Sequence, residues 1–156
     1  MQVNPRGLTG TTTLALLVTV LFAGCSSLTE PRTTRDLAAA RARWASTAPA
    51  SYDFTVAPSC FCVGNTRPTT VVVEGGTVTS ARYADTGEPV PQAIAQSEPT
   101  VDSLFAKIEH ALATRDETVD ASYDATLGFP LSISFNRAPP VPDMGFAYFV
   151  RDFHPR

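Results

Sequence analysis

Six short segments of the chain are predicted to be strands, and in three of them, 51–57, 118–124 and 131–136, hydrophobic and polar residues alternate, as expected for strands that bury one face of a sheet. In the clearest segment, Leu131, Ile133 and Phe135 alternate with small polar residues. Gly75-Gly76 predicts a two-residue hairpin turn between two of the segments, because both positions accept a positive φ. The predicted strands cover residues 51–57, 69–74, 77–83, 118–124, 131–136 and 146–153, and Pro58 is expected to end the first of them.

Two further segments have the period of an amphipathic helix. Residues 35–45 form the first, and Thr33 or Thr34 is expected to cap it. Trp44 is predicted to anchor this helix in the core, and a ligand-stacking role is the alternative. Residues 101–114 form the more regular helix, with Thr100 as its expected cap. The two apolar stripes consist of Leu37, Ala40 and Trp44, and of Val101, Leu104, Phe105, Ile108 and Leu112.

The elements follow one another in the order α-β-β-β-α-β-β-β. Residues 84–99 and 137–145 are rich in proline and are predicted to be connections. The tight turns between successive strands favour antiparallel pairing. The sequence therefore predicts an α+β fold in which two helices pack on one face of an antiparallel sheet of about six strands.

An apolar run of about ten residues, 14–23, precedes these elements. A spanning helix needs about 20 residues, whereas this length suits the hydrophobic region of a signal peptide. Leu21-Phe22-Ala23-Gly24-Cys25 resembles the bacterial lipobox, whose cysteine receives acyl chains such as palmitate, although Phe22 replaces the usual leucine. We expect a lipoprotein signal peptide at 1–24, a lipidated N-terminus and flexible tether at 25–34, and a single domain at 35–156. An ordinary signal peptide that is cut elsewhere is the alternative.

The predicted location is the cell envelope, where a lipid on Cys25 would hold the exported domain on the inner or the outer membrane. The formal net charge of −3 becomes one unit more negative without Arg6, which argues against nucleic acid as a partner. No phosphate loop or dinucleotide motif is present in the sequence, and no cofactor is predicted. The expected partners are the membrane itself and a protein or another component of the cell envelope.

If Cys25 carries a lipid, Cys60 and Cys62 remain as a pair that is expected to form a disulfide in an oxidising compartment. In an extended strand their Cα atoms would lie ~6.6 Å apart, near the upper limit for a bridge, so the bond needs a local bend. The pair is interpreted either as a structural staple or as a strained, redox-active dithiol. A metal site is a third hypothesis, whose further ligands would come from His110, His154 and Met144.

Several segments stand out by their order and spacing: Ser51-Tyr52-Asp53-Phe54, Cys60-Phe61-Cys62, Val71-Val72-Val73-Glu74-Gly75-Gly76, Val101-Asp102-Ser103-Leu104-Phe105, Tyr123-Asp124, Gly128-Phe129-Pro130, Asp143 and Phe153. Together they resemble a family of bacterial lipoproteins known only as domain of unknown function number 6174. The resemblance covers residues 44–153, nearly the whole predicted domain. Asn136 departs from the pattern, since an aspartate is expected there. The resemblance implies an anchored α+β domain and supplies no activity.

The other residues that could take part in catalysis or metal binding have simple structural interpretations. His110 falls on the polar face of its helix and is predicted to be a solvated surface residue. Asp124 and Asp143 are interpreted as turn-capping residues rather than as a carboxylate pair or a calcium site. No Gly-x-Ser-x-Gly motif is present in the sequence.

The first functional hypothesis is a non-enzymatic, membrane-anchored binding domain. Its exposed sheet face, with Tyr83, Tyr148 and Phe149 as expected contacts, would meet the partner. The alternative is a thiol-redox protein that uses Cys60 and Cys62. Replacement of both cysteines by serine distinguishes the two, because only the redox protein should lose its function.

Overall fold

The order of helices and strands along the chain is largely the order that the hydrophobic pattern predicts. The structure, a computed structural model, describes residues 32–60, 67–137 and 145–156, together with the single positions 1 and 139. Within these residues the helices are α1 (Arg32–Thr47), α2 (Gln92–Ala95) and α3 (Val101–Thr114). The strands are β1 (Ser51–Cys60), β2 (Thr69–Glu74), β3 (Thr77–Tyr83), β4 (Glu117–Tyr123), β5 (Pro130–Arg137) and β6 (Phe146–Pro155). The predicted α+β class is confirmed.

The strands form a six-stranded sheet with the order β3-β2-β1-β6-β5-β4, and every neighbouring pair is antiparallel. The predicted antiparallel sheet of six strands is therefore confirmed. Gly75 and Gly76 have φ values of 55° and 78°, as the two central positions of a tight hairpin require. The centre of the sheet is the pairing of β1 with β6, in which Val56 lies opposite Val150.

Alternate strand residues pack together with α1 and α3 in one hydrophobic core. We call this side of the sheet the inner face. The strand residues that alternate with these core residues point to the opposite side of the sheet, the outer face. Their side chains are half-buried or exposed. The strand residues buried in this core are Tyr52, Phe54, Val56, Val71, Val73, Ile133, Phe135 and Val150.

Helix α3 begins and ends where its apolar stripe predicts. The Thr100 side chain accepts a hydrogen bond from the Ser103 amide at 3.1 Å, and the Ser103 hydroxyl accepts one from the Thr100 amide at 2.9 Å. This reciprocal pair satisfies two amide groups that the first turn of a helix leaves without partners. At the other end Arg115 has a φ of 60°, a left-handed conformation that stops the helix.

Helix α1 starts at Arg32, three positions before the predicted start. The prediction that Thr33 or Thr34 caps the helix is therefore wrong, since both lie inside its first turn. An ion pair of 3.7 Å between Arg32 and Asp36, one turn apart, supports the earlier start. Trp44 is only 2% exposed and is a core anchor, as predicted.

The predicted end of the first strand at Pro58 is also wrong, because β1 continues to Cys60. Its pairing with β2 stops at Val56, so Pro58 pairs with β6 alone. Proline lacks an amide hydrogen and is tolerated where one side of a strand has no neighbour. The predicted connection at 84–99 contains the short helix α2, which the predicted element order lacks.

Candidate functional site

The cysteine pair lies at one end of the sheet. Cys60 is the last residue of β1, is half-buried, and pairs with Phe146 of β6. Cys62, Cys25 and the signal segment lie outside the described residues. The disulfide and the lipid attachment therefore stay predictions.

A depression of about 440 Å³ opens beside Cys60. It is large enough for a small ligand or for a short stretch of a polymer. None of the described residues that line it carries a formal charge at neutral pH. The lining residues are Ser59, Cys60, Ser134, Asn136, Gly145, Phe146 and Ala147.

The depression continues into a band of small polar side chains on the outer face. Ala147 lies between Ser59 of β1 and Ser134 of β5, and in the next row Phe149 lies beside Ser132. We call this band the outer strip. It consists of Ser59, Ser132, Ser134, Asn136, Ala147 and Phe149.

Phe149 is the large hydrophobic residue of the outer strip and is 37% exposed. The Ser132 hydroxyl lies 2.7 Å from the hydroxyl of Ser122 on β4. Farther along the outer face the hydroxyls of Thr55 and Thr70 lie 3.2 Å apart. The outer face around Phe149 therefore combines small hydroxyl-bearing side chains with some charged ones, since Asp120 of β4 lies opposite Ser134 and Arg151 lies two residues beyond Phe149 on β6.

Tyr83 and Tyr148 do not join Phe149 on the outer face. Tyr148 lies opposite Ile133, a buried inner-face residue, and its ring lies 4.7 Å from that of Phe146. Tyr83 packs against a small inner cluster, and the guanidinium of Arg67 lies 3.8 Å from its ring centre. The alternation of side chains along a strand already implies that Tyr148 and Phe149 point to opposite sides.

A partly buried carboxyl group lies on the inner side of the sheet, where the sequence pattern indicates no site. Burial raises the pKa of Glu98, and a hydrogen bond with the Thr69 side chain opposes this rise. Burial also raises the pKa of Tyr148, with a smaller contribution from the charge of Glu98. These groups belong to the packing between the sheet and the segment before α3.

The remaining candidate residues are dispersed. His110 is exposed on α3, and His154 is exposed on β6 opposite Asp53. Asp143 and Met144 lie outside the described residues. Within the described part of the chain, no three histidine, cysteine or acidic side chains come together in a group that could hold a metal ion.

Asp124 acts as a turn cap, as predicted. Its carboxylate accepts hydrogen bonds from the amides of Thr126 at 2.9 Å and Leu127 at 2.7 Å. The turn leads into Gly128 and Phe129, whose ring stacks on that of Phe153 at 4.4 Å. Asp124 thus stabilises the chain reversal between β4 and β5.

The geometry defines an α+β domain with helices and a six-stranded antiparallel sheet around one core. The chain matches a family of unknown function, DUF6174, over residues 36–155. Because the match spans most of the chain, the protein belongs to this family. Searches among curated proteins and among solved structures give no match.

Many residues that carry the resemblance to this family have structural roles in this chain. Tyr52 and Phe54 are core residues of β1, and Gly128-Phe129 packs beside α1. Cys60 and Asn136 differ from these, because both line the depression. The family pattern therefore describes mainly the fold, and two of its positions meet at the candidate site.

No helix in the described residues is both long and apolar enough to cross a membrane.

Proposed function

We propose that this protein is an extracytoplasmic lipoprotein whose domain binds a component of the cell envelope through the outer strip. The observation that carries this proposal is the open depression of about 440 Å³ at the end of the outer face, whose described lining residues carry no formal charge. The depression and Phe149 lie on one continuous surface of three adjacent strands, β1, β6 and β5.

The proposed anchor is a lipid on Cys25. Support comes from the short apolar run at 14–23 and from the small residues Ala23 and Gly24 before the cysteine. A single acyl chain binds a membrane only marginally, so stable anchoring requires the several chains of a mature lipoprotein. Residues 26–31 would then separate the domain from the membrane surface.

The alternative is a thiol-redox role for Cys60 and Cys62. The position of Cys60 at the wall of the depression favours this alternative, because a bound substrate would lie near its sulfur. We propose the disulfide first as a staple that holds the end of β1, since a ring of three residues gains little from loop closure but fixes the local bend.

The experiment that tests the binding role uses the full-length protein and isolated envelopes of the producing cells. We expect wild-type protein to sediment with envelopes after its release from the membrane in detergent. Ser134→Arg places a long charged side chain in the depression and should reduce this binding at least tenfold. Ser80→Arg introduces the same charge at an exposed outer-face position on β3 and should leave binding unchanged.

Two further variants separate the hypotheses. The double substitution Cys60→Ser and Cys62→Ser should retain envelope binding if the pair is a staple, provided that circular dichroism shows a folded domain. Cys25→Ser should abolish incorporation of labelled palmitate without affecting the binding of detergent-solubilised protein. Equal binding by wild-type and Ser134→Arg protein would contradict the proposed surface.

A further inference from the structure

We infer that the outer strip binds an uncharged glycan chain, in which sugar rings enter the depression and stack on Phe149. This inference rests on the proposed binding function and names the chemical class of its ligand. It follows from the combination of hydroxyl, amide and aromatic groups on one side of three adjacent strands.

The polar groups of the outer strip match the hydrogen-bonding capacity of a sugar. The hydroxyls of Ser59 and Ser134 can each donate one hydrogen bond and accept others, and the Asn136 amide has both donors and acceptors. Sugar hydroxyls and acetamido groups have the same dual capacity. Because the described lining carries no formal charge, an anionic or cationic ligand would lose hydration there without gaining an opposite charge from these lining residues.

Phe149 supplies the apolar part of the site. It lies two residues from Ala147 on the same strand and face, which corresponds to a distance of ~6.6 Å along the strand. An aromatic ring has a negative face, which attracts the slightly positive C–H groups on the flat side of a pyranose ring. A sugar chain that runs from the depression across this ring would satisfy both kinds of contact.

The lining favours a glycan over a protein partner. Protein interfaces typically bury about 800 Å² on each side and are enriched in aromatic residues, methionine and arginine at their centre. Here five of the seven described lining residues are serine, alanine, glycine or asparagine, and the other two are Cys60 and Phe146. Such short side chains leave room for rings that bring their own hydroxyl groups.

The test is a titration of the full-length protein in detergent with two uncharged probes, maltotetraose and tetra-N-acetylchitotetraose. Ligand-observed NMR should detect saturable binding of at least one probe, and polygalacturonate of similar length should bind at least tenfold more weakly. Phe149→Ala should weaken binding of the probe at least tenfold, whereas Phe149→Tyr should retain it within about threefold. Ser80→Arg is the matched surface control and should bind as the wild type does.

Each contrary outcome has a distinct meaning. If neither probe binds but wild-type protein still sediments with envelopes in a manner sensitive to Ser134→Arg, the glycan inference is wrong and a protein partner is indicated. If neither probe binds and envelope binding is also absent, the proposed function fails together with the inference. Saturable binding that is unaffected by Phe149→Ala would place the glycan elsewhere and overturn the site.

Discussion

At the scale of single residues, Gly128 determines how closely α1 approaches the turn before β5. Its φ is +87°, and a β-carbon at this position would lie 2.4 Å from the backbone oxygen of Ala40 and 2.9 Å from the β-carbon of Arg43. The next residue, Phe129, is buried and lies 6.4 Å from the Trp44 ring. A glycine at this one position therefore allows the turn and the helix to share the core.

We predict that Gly128→Ala destabilises the domain by at least ~3 kcal/mol, because it combines backbone strain with a clash against helix backbone. Gly75→Ala is the matched control. Gly75 also has a positive φ, of +55°, but a β-carbon there would meet no atom within 4 Å, so its cost should be only ~1 kcal/mol. Urea unfolding of both variants measures the difference, and similar costs would contradict the role of close approach.

The place of Asn136 in the candidate site could not be predicted from the sequence. The sequence marks it as a departure from the family pattern, but its neighbours in the sequence do not reveal which site it belongs to. Its position on the same depression as Ser59 and Cys60 depends on the pairing of β1, β6 and β5, which joins residues far apart in the chain. Long-range pairing, and not local chemistry, assembles this site.

At the scale of elements, local signals explain which predictions are confirmed. The bounds of α3 follow from a regular apolar stripe and a cap within the same segment, and the hairpin between β2 and β3 follows from two adjacent glycines. The sequence predicts too short a β1, because the tolerance of this strand for Pro58 depends on where β2 ends. The predicted start of α1 is wrong because Thr33 and Thr34 resemble caps in sequence but lie within the helix.

The capping pair of α3 gives a prediction at this scale. Thr100→Ala removes the side-chain acceptor for the Ser103 amide and should destabilise the domain by about 1 kcal/mol. Ser97→Ala is the control, because the Ser97 hydroxyl also bonds to backbone, at 2.7 Å from the Ile94 oxygen, but is exposed and lies before the helix. Its cost should be below ~0.5 kcal/mol in the same urea titration, and equal costs would argue against the cap.

At the scale of the whole molecule, the sheet brings together the two halves of the chain. The strands β1 to β3 form one half of the sheet and the strands β4 to β6 form the other half, and the two halves meet where β1 pairs with β6. The sequence predicts the neighbours within each half, because short turns join them. It does not predict the pairing of β1 with β6, since no local signal specifies which distant strands meet.

The pH dependence of stability should reflect tyrosines that fold into the core. Burial raises the pKa of Tyr52 to about 12, although a hydrogen bond from the Val101 amide opposes the rise. Between pH 10 and 12 the unfolded tyrosine loses its proton while the folded one keeps it, so stability falls as pH rises. The expected loss from Tyr52 is about 2–3 kcal/mol.

Comparison of wild-type and Tyr52→Phe protein isolates this contribution. The variant lacks the ionisable group. From pH 8 to pH 12 the unfolding free energy of the wild type should therefore fall by about 2–3 kcal/mol more than that of the variant. Urea titrations at several pH values measure it. Tyr123, whose pKa burial also raises to about 12, is unchanged in the variant and acts as an internal reference. Parallel pH curves would contradict the prediction.

The central position of β6 also affects when the sheet can form during synthesis of the chain. During synthesis the strands β1 to β3 emerge first, but the β1 edge that faces β6 cannot be paired until the ten residues of β6 have been made. Until then the growing polypeptide lacks the partner that completes its sheet. The domain should therefore acquire its cooperative structure only after β6 has been synthesised, and the growing polypeptide should stay loosely folded until that point.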